Sequence, residues 1–304
     1  LILVFGAICI DRLRRVPQLP ATGGYVEILD ETSMLGGEAA NTANALHAWG
    51  NDVVLAGNAL GSGHDARKLM GLIEARGLPT EWIAPVGVPA DLKAPICDIY
   101  VTPDGDRTMF GRGFSQMGPG VPLEYLPYAS GGWFTAEPNM EGPARDVVRH
   151  AADQGMKIYL MDFFRPDDPI LPGSFWQCST DWQGTRGNQQ RNVRFVKDWV
   201  ERYGCHAVLS DGPNGFVYGG PGHPARAYPP FPAPAMVDST GAGDTFRAGM
   251  LHGLSRDWPI SDCLRFASAA GCLKCGYFGA TAHVVSVEEI QAFIEQNPSV
   301  ASAY

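Results

Sequence analysis

Short runs that are apolar almost without interruption limit what this chain can fold into: LILVFGAI at 1–8, DVVLAGNA at 52–59, GGWFTAE at 131–137, KIYLMDFF at 157–164 and HAVLSDG at 206–212. A strand with one wet face alternates apolar and polar residues, whereas one covered on both faces reads as nearly continuous hydrophobicity. Helical patterns lie between these runs. GPARDVVRHAADQG has Pro143 in its first turn and Gly155 just past its end, the usual placing of those two residues. SVEEIQAFIEQ opens with Ser286 and Glu289, the spacing of a capping box. Such alternation predicts an α/β fold: a three-layer α/β/α sandwich around a mostly parallel sheet.

Two segments, 12–35 and 93–116, lack helical periodicity and read as short strands with turns, the second carrying TPDGDRT. They predict a small β-strand lid inserted into one domain spanning 1–304. Exposed lid strands would invite edge pairing, and so a homodimer through the lid. The stretch 164–192 reads as a long irregular loop rich in Pro, Gly and Trp. Its aromatics Phe175, Trp176 and Trp182 point to a loop that packs.

The 304 residues are 45% hydrophobic with a formal net charge of −9, which suits a folded globular protein and argues against nucleic-acid binding by phosphate neutralisation. No apolar run is long enough to span a membrane. The opening LILVFGAICI has no basic segment before it and reads as a buried strand rather than a leader. Of seven cysteines only Cys272 and Cys275 have a metal- or redox-like spacing, and a lone CxxC in an alanine-rich helix reads as reduced thiols of a cytoplasmic protein.

The chemistry concentrates in VDSTGAGDTFRAGM, Val237 to Met250. Its glycines do not fit a dinucleotide fingerprint, because Phe246 stands where the last Gly or Ala belongs, and no Gly-Lys exists for a Walker loop. What remains is a glycine turn opening a helix. Helix N-termini present unpaired N–H groups and partial positive charge, and glycines let an anion approach them. An acid directly after such a cradle can take the proton from a hydroxyl that attacks phosphorus. A glycine turn whose Asp merely caps the helix would look the same. A second glycine pair, Gly36-Gly37, runs into a helix with Asn41 in its first turn. The Asn41 amide could hold a polyol by donor and acceptor or act as a local cap. Asp11 follows the first strand, at the strand end where α/β ligands gather.

In this order, Asp11, Gly36-Gly37 to Asn41, SDGPNG at 210–215 and DSTGAGDTF at 238–246 resemble the ribokinase-like (PfkB) carbohydrate kinases over nearly the whole chain. The resemblance implies a kinase using ATP and Mg²⁺ on a sugar or nucleoside hydroxyl. By it, Asp244 is the catalytic base, and the amides of Gly241, Ala242 and Gly243 form the anion hole. Asp11, Gly36, Gly37 and Asn41 hold substrate, while Ser210, Gly212 and Gly215 border the nucleotide. Asp238 matches a position that in some relatives helps bind a monovalent cation such as K⁺.

The chain departs from the family in two places. No Asn-x-x-Glu occurs, and STDWQGTRGNQQRN fills its place, where Asp181, Arg186 and Asn188 could supply replacement contacts. DFFR at 162–165 stands for the family's Asp-x-Asn-x-Arg. There Asp162 and Arg165 could reach the substrate, or Arg165 could hold its loop in a salt bridge. Arg247 could meet a phosphate or carboxylate of an acidic substrate, or point to a structural carboxylate. Phe110 and Phe114 in the lid would suit a nucleoside base. The competing readings are a sugar or sugar-acid kinase, a nucleoside kinase, and a binding protein that keeps the kinase fold without turnover.

Overall fold

The computed structural model describes residues 1–304. The strands, in chain order, are β1 Ile2–Gly6, β2 Cys9–Arg15, β3 Asp30–Gly36, β4 Val53–Gly57, β5 Ile96–Val101 and β6 Arg107–Arg112. They continue with β7 Trp133–Ala136, β8 Lys157–Met161, β9 Phe175–Ser179, β10 His206–Ser210, β11 Phe216–Gly220 and β12 His223–Tyr228. The helices are α1 Glu38–Ala48, α2 Gly63–Glu74, α3 Gly142–Asp153, α4 Thr180–Gln183, α5 Gln189–Tyr203, α6 Ala242–Leu254, α7 Ile260–Lys274, α8 Val287–Gln296 and α9 Pro298–Ala301.

The main sheet runs β12-β11-β10-β9-β8-β7-β1-β4 and is parallel from β4 to β10, with β11 and β12 antiparallel at one edge. Strand alternation divides its side chains between two cores. Ile2 and Val4, with Tyr159 and Val208, join the core under α1, α6 and α7. Leu3 and Phe5, with Leu160 and Leu209, join the one under α3 and α5. Because both faces are covered, the strands are apolar throughout, and the sandwich stands as the sequence predicts. The capping box at Ser286 and Glu289 is formed in both directions. No helix is long and apolar enough to cross a membrane.

β2, β3, β5 and β6 form a separate sheet in the order β3-β2-β5-β6. Its inward residues Leu13, Met34, Ile99 and Val101 make a small core against Phe278. β2 follows β1 after two residues, so Asp11 lies where the chain passes from one sheet to the other.

The stretch 164–192 differs from its reading as a long loop. Phe175–Ser179 is β9, an interior strand between β8 and β10. Its FWQCS is short, interrupted by Gln177 and flanked by Pro and Gly, which hides it from a hydrophobic-run search. Trp176 is fully buried, donates from Nε1 to the Phe163 carbonyl at 2.7 Å and packs on Trp199 of α5. Trp182 is 69% exposed and orders nothing in the core. Removing a large buried aromatic costs about 3–5 kcal/mol. Trp176→Ala should therefore lose stability on that scale in denaturant unfolding, while Trp182→Ala stays near wild type.

Candidate active site

Parallel strands place their carboxyl ends along one rim, where ligands of open α/β sheets bind. Glu137 follows β7, Asp162 follows β8 and Asp211 follows β10, all on that rim. Helices α1 and α6 converge on it, and two side chains join them. Asn41 of α1 donates from Nδ2 to Asp244 Oδ2 at 2.8 Å. Arg247 of α6, with no exposed surface, donates from Nε to Thr42 Oγ1 at 2.9 Å and from Nη2 to the Glu38 carbonyl at 2.6 Å, and lies 3.6 Å from Asp244 Oδ1.

Asp244 is thus held but not satisfied. Its Oδ1 and the neighbouring Asn41 Oδ1 are buried acceptors without a hydrogen-bond partner. Buried polar atoms are nearly always paired, so each of these acceptors is open to a donor that the chain does not supply. Burial raises the Asp244 pKa, opposed by the Arg247 charge and the Asn41 hydrogen bond. Asn41 directs one of its two amide N–H donors to Asp244, which leaves the second donor and the acceptor that its polyol-binding reading needs.

Asp11 is 3% exposed, and its pKa is raised from 3.8 to about 7, chiefly by burial. Its carboxyl fills the space over Gly36, where an added Cβ would stand 2.0 Å from Asp11 Cγ, so a side chain at 36 would displace that carboxyl. Gly37 caps α1. Glu137, also buried, accepts amides from Ala7 and Asn139, and burial raises its pKa. Asp162 is pushed up to about 7, again mainly by burial, with Arg247 opposing.

The glycine turn begins at Gly241, the N-cap of α6, with φ +79° and its Cα against Ala280. A side chain there would meet both a disfavoured backbone region and Ala280. The Ala242 amide is engaged by the Ser239 carbonyl at 3.2 Å, while the amides of Gly241, Gly243 and Asp244 find no acceptor in the chain. Of the expected trio, Gly241 and Gly243 keep free amides and Ala242 does not, and the Asp244 amide is free beside them. Gln177 of β9, itself bonded by the Tyr159 hydroxyl, steadies the turn through the Gly243 carbonyl at 3.0 Å. From the second sheet, Arg107 Nη1 reaches Ser239 Oγ at 2.7 Å.

Other expected residues stand apart. Arg165 takes the second of its two roles: it is exposed and forms a surface salt bridge with Glu141 at 2.9 Å, corrected from substrate ligand to loop anchor. Arg247 is fully buried and meets chain partners through Nε and Nη2, in line with its reading toward a structural carboxylate, while its Nη1 has no partner. Ser210 donates to the Cys178 carbonyl at 3.1 Å. Gly215 must be glycine because β12 passes close, with an added Cβ 2.1 Å from the Tyr228 carbonyl. Gly212 opens a short helical turn beside Arg186. Asn188 caps α5.

A cavity of about 270 Å³ adjoins this turn, lined by Gly187, Asn192, Asp211, Asn214 and Phe216 among others. A larger one, about 500 Å³, is lined by Arg12, Arg14 and Lys68. Arg12 and Arg14 alternate with Asp11 along β2, so that cavity opens on the other face of the second sheet. Sequence reasoning missed Glu137, Gln177 and Lys274. An acid closing an apolar strand, as in WFTAE, was the available signal for Glu137; a lysine ending an alanine-rich helix gave none.

The family model described as pfkB family carbohydrate kinase matches residues 182–286, which include the glycine turn. An uncharacterized sugar kinase of Dictyostelium discoideum is 26% identical over 357 aligned positions, covering 97% of each chain. Arabidopsis thaliana ribokinase complexed with ribose and ATP superposes with a TM-score of 0.73 at 18% identity, over 96% of this chain and 97% of that one. A Burkholderia thailandensis nucleoside kinase in complex with inosine gives 0.75 at 18% identity, over 97% of each chain. The resemblance carried by the motifs is borne out, and the chain has the ribokinase-like fold. Family and relatives together imply a phosphotransferase acting on a sugar hydroxyl.

A buried carboxyl with a raised pKa binds protons in the folded state that the unfolded chain has released, so stability falls as pH rises from about 4 to about 7. Asp11→Asn should therefore raise the melting temperature of the free protein at pH 8 and raise it much less at pH 5. Thermal unfolding at the two pH values checks it.

Proposed function

We propose that the chain is an ATP-dependent kinase of a neutral sugar, with Asp244 as general base. The observation that carries this is the pair of unpartnered buried acceptors, Asp244 Oδ1 and Asn41 Oδ1, beside free amides at a helix N-terminus. A sugar hydroxyl seated at Asp244 Oδ1 would give its proton to Asp244 as its oxygen attacks the γ-phosphorus of ATP. The new O–P bond forms, the bond to the β-phosphate oxygen breaks, and ADP leaves. The amides of Gly241, Gly243 and Asp244 would receive the negative charge on the transferring group. Arg247 keeps the buried carboxylate charged enough to accept the proton and fixes its rotamer.

The balance of charge favours a neutral acceptor over a sugar acid. Asp11, Glu137, Asp162 and Asp244 gather at this end of the sheet, and the guanidinium that lies among them, Arg247, directs Nε and Nη2 to chain partners. Acidic side chains suit the hydroxyls of a polyol, whereas an acidic substrate would meet repulsion. The nucleoside alternative comes second, since Phe110 of the lid sheet is 58% exposed rather than packed as the wall of an enclosed site. The cavity beside Asp211 and Gly212 is the place proposed for part of the nucleotide. No cluster of three His, Cys, Asp or Glu side chains is placed to hold a metal by itself, and the Mg²⁺ that accompanies ATP would need only one or two carboxylates beside the phosphates and water. The unpaired edge of β6, with Met109 and Phe110 exposed, is the surface a lid-to-lid dimer would use.

Losing a general base costs about 10²- to 10⁴-fold in rate. In an ADP-release assay across pentoses, hexoses, sugar acids and nucleosides, a neutral sugar should give the signal, and Asp244→Asn should lower kcat by that factor with little change in KM. A panel in which only a sugar acid or a nucleoside is turned over would replace this reading.

A further inference from the structure

The resemblance assigns Asp238 to a monovalent-cation site, and the residues around it do not fit one. Both carboxylate oxygens of Asp238 are already engaged: Oδ1 accepts the Thr240 amide at 2.8 Å and Oδ2 the Gly279 amide at 2.7 Å. Its main-chain carbonyl accepts from Lys274 Nζ at 2.9 Å, so a positive charge already stands against it. The same ammonium donates to the Tyr277 carbonyl at 3.2 Å. Lys274 closes α7, yet only 2% of it is exposed. A lysine at a helix end ordinarily reaches water; this one turns inward, and no carboxylate pairs with it.

An ammonium buried against main-chain oxygens does the work of a coordinated monovalent ion. It bears one positive charge and neutralises carbonyl dipoles. It also joins two segments, because Asp238 leads into the glycine turn and Tyr277 into the loop whose Ala280 backs Gly241. The charge acts on the site as well, since Lys274 favours the ionised form of Asp244.

We propose that Lys274 is a tethered cation that takes the place of a monovalent metal ion at the base of the anion hole, making this chain's phosphoryl transfer independent of K⁺ and Na⁺. The inference rests on the kinase reading for its activity arm, and Lys274 is a positioning residue that acts through the turn.

The test exchanges K⁺ for tetramethylammonium at constant ionic strength and follows both turnover and the melting temperature with and without ADP. For the wild type, kcat/KM should hold within about twofold, and the melting temperatures and the ADP-induced shift should be unchanged. Lys274→Ala opens room at the two carbonyls; it should lose about tenfold or more in kcat and regain part of that loss with K⁺ or methylammonium. Lys274→Met fills the space without charge and should lose activity with no rescue. Wild-type activity or melting temperature that rises steeply with K⁺ would overturn the proposal, as would a Lys274→Met enzyme as active as wild type. If the alanine variant does not fold, the wild-type cation exchange and Lys274→Met still decide. No turnover in any cation, with melting temperatures indifferent to K⁺, would sink the kinase reading while leaving the cation replacement standing.

Discussion

Everything at the rim turns on a carboxylate buried between two helices. Asp244 sits where the low polarity of the interior disfavours its charge, and two neighbours oppose that penalty: the Arg247 guanidinium at 3.6 Å and the Asn41 amide at 2.8 Å. A buried charge is tolerated only when paired and hydrogen-bonded. The same contacts bind α1 to α6, because Arg247 reaches Thr42 and the Glu38 carbonyl. The interaction that keeps Asp244 ionisable is therefore also one that positions the two glycine-led helix starts facing the rim.

The surrounding sheets serve that arrangement. The parallel strands bring Glu137 and Asp162 to one edge, while β2 carries Asp11 across from the second sheet. β9 supports the glycine turn from beneath through Gln177. The turn in turn contacts the second sheet, where Arg107 meets Ser239. With Lys274 at its base and free amides at its mouth, the turn is polarised toward an anion.

Much of this was legible in the sequence, for physical reasons that differ by element. Buried parallel strands leave a near-continuous apolar signature, so β1, β4, β7, β8 and β10 could be read directly. β9 could not, because Gln177 breaks its run for a tertiary purpose, the support of Gly243. Asp244 and Asn41 stood in spacings that only a helix start explains. Glu137 showed only as an acid closing an apolar strand and Lys274 in no pattern, since their value comes from segments far along the chain: Ala7 for one, Asp238 for the other. Arg165 stayed open between substrate and salt bridge because its partner Glu141 lies in another loop, and pairing across loops leaves no local trace. Arg247 offered two directions, and its Nε and Nη2 take the one toward α1 and Asp244.

The most direct test of the central claim is a crystal structure with the sugar that stimulates ADP release, ADP and a planar fluoride mimic of the transferring phosphoryl group. The account expects the attacking hydroxyl about 2.6–3.2 Å from Asp244 Oδ1, with the mimic's fluorides on the amides of Gly241, Gly243 and Asp244. A hydroxyl bound elsewhere on the rim, leaving Asp244 Oδ1 unpartnered beside an occupied nucleotide site, would contradict it.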